Sequence, residues 1–260
     1  MGTAGEDLSS PCGPVRPIPL HFTARARHFG QDGMPRPLGP GRTESIVGYA
    51  QNQLREGASM IGAQFLGIAS QDGSVNLQSI VPQGNDCVDN VFLSKLGPYG
   101  TTEITYTWID YGSEGGAYWT EDGDSKATGI TFIPGEALWI QASGSDQFVQ
   151  SNGQVSTSDI SVRLREGATM VANPTPRTID IQQILPTGPD CVDNLFASKV
   201  GPYGTTETTY TWIDYGSEGG SYWTEDGDSK ASEVTLEPGV GLWLQASSTE
   251  QYIVFPGVEL

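Results

Sequence analysis

The stretch "TYTWIDYGSEGGAYWTEDGDSK" ends at Lys126 and returns, with Ser221 in place of Ala117, to end at Lys230. Around it, residues 84–143 align without a gap onto 188–247, about 46 of the 60 positions being identical. The match weakens outside this block but continues, with "LREGASM" at 54–60 against "LREGATM" at 164–170. The first copy is longer by about six residues around "LGIASQDGSV". A chain built this way must fold as one unit made twice, here 45–155 and 156–260. Identity this close implies recent duplication, so sameness between copies says nothing about which residues matter.

Within a copy the pattern is that of short strands. "EITYTWIDY" alternates, with Ile104, Tyr106 and Trp108 on one face and Thr105 and Thr107 on the other. "TGITFI" and "ALWIQAS" read as two further strands joined at "PGE", where Pro134 suits the first corner of a turn and Gly135 the second. "SVRLREG" and "TIDIQQIL" supply more strands or a short helix-like connection. "GPYGTT" and "YGSEGGAYW" read as turns. Gly is abundant at 34 residues, and no long run at helical period interrupts the pattern. The expectation is an all-β protein of two tandem homologous repeats, each a small β-sandwich or β-barrel of six to eight strands.

Residues 1–44 form a Pro-, Gly- and Arg-rich leader with five arginines, both histidines and Cys12. It has no apolar core of a secretory signal and too little hydrophobic content to fold, so it reads as a disordered arm or an upstream artefact. The net charge of the chain is −18, and the leader carries little of it. Such a surface repels phosphate backbones and anionic membranes, which argues against nucleic acid as a partner. No apolar run is long enough to insert in a membrane. Neutral or cationic ligands and divalent metals fit the charge better.

The chemistry available is correspondingly narrow. With both histidines in the leader, the repeats have no Ser-His-Asp or Cys-His site and no His-based zinc site. No phosphate-binding glycine loop is present. Cys87 and Cys191 occupy equivalent positions in "NDCVDN" and "PDCVDN", which leaves open a bridge between copies or two buried thiols. A thiolate between Asp86 and Asp89 is a poor nucleophile, and Asp89 and Asn90 fit better as a cap on a following "VFLSK" turn.

Three sets of candidates remain. The loop "WTEDGDSK" offers hard oxygens for calcium from Glu121, Asp122 and Asp124, repeated as Glu225, Asp226 and Asp228, although it is not an EF-hand loop. Tyr118 and Trp119, with Tyr222 and Trp223, offer aromatic platforms beside carboxylates for a carbohydrate or other small neutral ligand. Asp110, Glu114 and Asp122, with Asp214, Glu218 and Asp226, form the pool of carboxylates from which a catalytic pair would be drawn.

The order "GATMVANPTP…IDIQQI", then "YTW", "YW" and "LEPGVGLWLQA", resembles a tandem repeat of secreted or surface proteins of environmental bacteria. The resemblance covers about 45–260, and the first copy departs from it with "MIGAQFLG" where the second has "MVANPTP". It implies a β fold and an exported or cell-surface location, and it implies no catalytic residues. The functional expectation is therefore a non-catalytic binding protein for carbohydrate or another cell-surface ligand, assisted by calcium. The alternative is a calcium-dependent hydrolase of a small ester, lactone or glycoside.

Overall fold

In the computed structural model each copy contributes ten strands, and the described residues are 47–68, 70, 72–96, 102–200 and 206–259. The leader lies outside them. Copy one runs β1 (Val47–Gln53), β2 (Gly57–Gly62), β3 (Val75–Asn76), β4 (Val81–Gln83), β5 (Phe92–Leu96), β6 (Thr102–Asp110), β7 (Ala117–Thr120), β8 (Thr131–Phe132), β9 (Ala137–Ala142) and β10 (Phe148–Gln154). Copy two repeats the order as β11 (Ile160–Arg163), β12 (Gly167–Ala172), β13 (Ile179–Asp180), β14 (Leu185–Thr187), β15 (Phe196–Val200), β16 (Thr206–Asp214), β17 (Ser221–Thr224), β18 (Thr235–Leu236), β19 (Gly241–Ala246) and β20 (Tyr252–Phe255).

The strands form open antiparallel sheets. In copy one a five-stranded sheet β2-β9-β5-β6-β7 accompanies a three-stranded sheet β1-β10-β4 and the pair β3-β8. Copy two has the same arrangement, β12-β19-β15-β16-β17 with β11-β20-β14 and β13-β18. Among the described residues no sheet closes, so each copy is a small layered β unit and not a barrel. "VFLSK" is strand, not turn, because β5 pairs with both β6 and β9, and Asp89 donates its N–H to Trp108 O instead of capping a turn.

Each copy has its own hydrophobic core. Leu77, Ile80, Val91, Leu93, Trp108, Trp119 and Ile140 pack together in the first, and Ile181, Ile184, Leu195, Trp212, Trp223 and Leu244 in the second. Cys87 and Cys191 lie buried in these separate cores as free thiols, which removes the bridge between copies. Burial pushes both thiols above their ordinary value, aided at Cys87 by Asp146 and Asp86 and at Cys191 by Asp190.

The free edge of each five-stranded sheet is sealed by a glutamine. Gln78 receives the Trp119 N–H and donates to Trp119 O and Ala127 O, and Gln182 does the same for Trp223 and Ala231. An edge strand whose outward groups are already paired offers little to another chain. The copies meet at the opposite edge, around Met60, Ala137, Met170 and Ala172. There Gly62 N donates to Gly239 O at 3.0 Å, and Ala172 N donates to Gly135 O at 2.9 Å. These two bonds exchange under the repeat, as in a twofold dimer interface joined into one chain. Gly135 and Gly239, with φ of +89° and +72°, form the turns that make this approach.

Candidate functional site

Strand alternation sends successive residues of β6 and β7 to opposite faces, and the two faces have different characters. Trp108 and Trp119 point inward, paired in register, and their rings meet edge-on at 5.3 Å and 65°. Trp119 is fully buried, and its indole N–H donates to Ile80 O at 2.7 Å. Trp223 is equally buried and donates to Ile184 O at 2.8 Å. Both are core residues, and neither is an exposed platform for a ligand. The reason is register, since each faces a core tryptophan across the ladder.

Tyr118 faces the other way. Its ring lies beside that of Tyr111, centroids 5.8 Å apart and planes 31° from parallel. Tyr215 and Tyr222 repeat the pair at 5.8 Å and 26°. Tyr111 and Tyr215 are each about half exposed. All four hydroxyls are tied into the acidic loop: Tyr111 donates to Gly123 O and Tyr118 to Asp124 O, and Tyr215 and Tyr222 donate to Gly227 O and Asp228 O. Desolvation, followed by the nearby Asp124 or Asp228 carboxylate, raises the Tyr111 and Tyr215 hydroxyls above their ordinary value. The result is a pair of rings fixed on one side and open on the other.

The acidic loop is organised from within. Asp122 Oδ1 accepts from Thr120 Oγ1 at 2.9 Å, Asp124 N at 3.0 Å and Ser125 N at 2.7 Å. Asp226 makes the same three bonds in copy two. Backbone N–H donors, Ser125 first and then Asp124, hold the Asp122 carboxyl well below the usual carboxylate range, and Ser229 and Asp228 do so for Asp226. Asp122 and Asp226 are thus turned into their own loops, while Glu121, Asp124, Glu225 and Asp228 are exposed. Among the described residues no three acidic, histidine or cysteine side chains gather where a metal ion would sit.

Asp110 and Asp214 are exposed, and each accepts from the N–H two residues on, Gly112 at 2.7 Å and Gly216 at 2.8 Å, which starts the helical turns Gly112–Gly115 and Gly216–Gly219. The side chains of Glu114 and Glu218 lie outside the described residues. Beside Asp110, on the inward-facing side of the sheet, is an open groove of about 570 Å³ lined by Gln78, Pro82, Asp86, Val88, Trp108 and Asp110 among others. Sequence reasoning missed this groove, because its walls come from three separated stretches of copy one, 78–88, 108–110 and 117.

Comparison of the chain with models of known protein families, with curated proteins and with solved structures found no match in any of the three. Among the described residues no helix is long and apolar enough to cross a membrane.

Proposed function

We propose that the protein is a bivalent binding module for neutral carbohydrate, exported or displayed at a cell surface, with the paired tyrosines as its two contact faces. The observation that carries this reading is the pre-anchored ring pair present in both copies, an exposed Tyr111 or Tyr215 against a half-buried Tyr118 or Tyr222. A sugar ring stacks its C–H face on such an aromatic surface, and little side-chain freedom is lost because the hydroxyls already hold the rings. The exposed carboxylates of Glu121 and Asp124 stand in the same loop as acceptors for sugar hydroxyls. Two faces on one chain raise avidity for a ligand that is itself repeated. The exported setting rests on the resemblance of the repeat to those of secreted and surface proteins.

The hydrolase alternative gains less support. A general acid needs a carboxyl held protonated near neutral pH, and the loop does the reverse at Asp122 and Asp226. Calcium is not required by the tyrosine faces, and its part in the reading is tested separately.

The test is retention of the full chain on immobilised glucan, xylan and mannan. At least one is expected to retain it, and Tyr111→Ala with Tyr215→Ala is expected to release it, while the Phe pair at the same positions retains binding. No retention by any of them, or retention indifferent to the Ala pair, overturns the proposal. Melting of the chelated protein during calcium titration, with magnesium as control, addresses the metal. A saturable calcium-specific rise adds an ion to the reading, because a ligand of the folded form stabilises it.

A further inference from the structure

The groove beside Asp110 has a composition unlike that of the tyrosine faces. Two carboxylates, Asp86 and Asp110, line it, and no lining residue is basic. Val88, about two-fifths exposed, and the open edges of the otherwise buried Pro82 and Trp108 give it an apolar wall. Its volume of about 570 Å³ is that of a small-molecule site. The wall is also held in place. Asp86 adopts φ of +53°, and the fully buried Gln147 pins it by donating to Asp86 O and Asn85 O, each at 2.9 Å. Gln78, on the opposite wall, is fixed by its three bonds to the sheet edge.

We infer that this groove binds an alkylammonium group, the chain lying along Pro82, Val88 and Trp108 and the charged head between Asp86 and Asp110. Both carboxylates are exposed, and Asp110, which already accepts the Gly112 N–H, keeps acceptor capacity for a cation, whereas an anion would be repelled. A cation on an apolar stem satisfies both halves of the groove, and the −18 charge of the chain favours its approach. The site is independent of the tyrosine faces, since Asp110 and Ala117 are paired in register and alternation puts Tyr118 on the other side of the sheet. Copy two keeps Asp190, Val192, Trp212 and Asp214 but has Leu185 for Val81, Thr187 for Gln83 and Ser221 for Ala117, so the corresponding surface differs. The only difference between the two ribbons therefore falls on this groove, and the two copies are expected to differ in affinity.

The experiment is an NMR titration of the full chain with n-butylammonium, against n-butanol as the uncharged stem. The ammonium is expected to shift Trp108 and Val88 signals saturably, and the alcohol to do so far more weakly. Asp86→Asn and Asp110→Asn each lower affinity by about threefold, the size expected of an exposed ion pair. Asn tolerates the left-handed backbone at position 86 and keeps the acceptor for Gly112, so neither change disturbs the loop. Glu56→Gln with Glu237→Gln removes two exposed charges elsewhere and is expected to leave affinity unchanged. Nα-acetyl-lysine N-methylamide, with its side-chain ammonium free, separates the sources of the group: tighter binding than butylammonium assigns the groove to lysine side chains, weaker binding to free amines. Shifts that map elsewhere, equal binding of the alcohol, or equal weakening by the distant pair would overturn the inference.

Discussion

The two ribbons and the two interface segments had the same starting point and have diverged to different extents. In the ribbons six hydrogen bonds of one acidic loop have counterparts in the other within about 0.1 Å, from the three donors on Asp122 and Asp226 to the four tyrosine hydroxyls. At the interface the copies use different contacts. Asn52 and Gln64 both donate to Pro238 O from copy one, whereas Val162 and Pro174 stand at those positions in copy two. Val162 packs instead against Gly135, where an added Cβ would come within 2.4 Å of its Cγ2. A loop whose bonds are all local is copied intact by duplication. An interface between unlike partners is free to specialise, and here each copy came to fill a different half.

The largest effect is expected in the core beneath the ribbon. Trp119→Ala removes a fully buried ring and its bond to Ile80 O, and is expected to cost about 3–5 kcal/mol in denaturant unfolding. Tyr111→Ala, on the exposed face of the same ribbon, costs about 1 kcal/mol or less by the same measurement. Equal costs would mean that the two faces of the sheet are not distinguished as described.

Next is the buried glutamine that holds the wall of the groove. Gln147→Ala orphans Asn85 O, Asp86 O and the Ser143 N–H, and is expected to cost about 3 kcal/mol, with Gln251→Ala alike in copy two. Gly62→Ala addresses the interface instead. Its Cβ would lie 2.4 Å from Ala172 Cβ and 2.8 Å from Glu136 O, so a loss of about 1–3 kcal/mol is expected. Calorimetry should then show one transition dividing into two as the copies uncouple.

The smallest effect concerns pH. Asp122 and Asp226 have folded-state values below the ordinary 3.8, so the stability they add is complete above that value and is lost as pH falls beneath it. Asp72, lowered to about 2 by Ser70 and then Ser74, acts in the same direction. Melting temperature should drop on acidification below about pH 4, and Asp122→Asn with Asp226→Asn should flatten that drop.

Much of the fold was legible in the sequence because alternation survives in long strands. Ile104, Tyr106 and Trp108 share a face as their spacing implies, and Pro134 and Gly135 form the turn expected at "PGE". Strands of two residues, such as Val75–Asn76, carry no periodicity, which is why fewer strands were expected than form. Trp119 was read as exposed because glycines and acids surround it locally. Its burial depends on Trp108 across the ladder, which no window along the chain contains. The same limit hid Tyr111 as the partner of Tyr118, and Gln78 and Gln147 as the residues that seal the edge and pin the loop. Their roles are set by contacts 41 and 62 residues away.

The central claim is that two fixed tyrosine faces act together, and surface-immobilised polysaccharide binding by single and double variants tests it most directly. Tyr111→Ala and Tyr215→Ala are each expected to accelerate dissociation by about tenfold or more through lost avidity, and the double variant to abolish retention. Binding that survives the double variant with its dissociation rate unchanged would contradict the account.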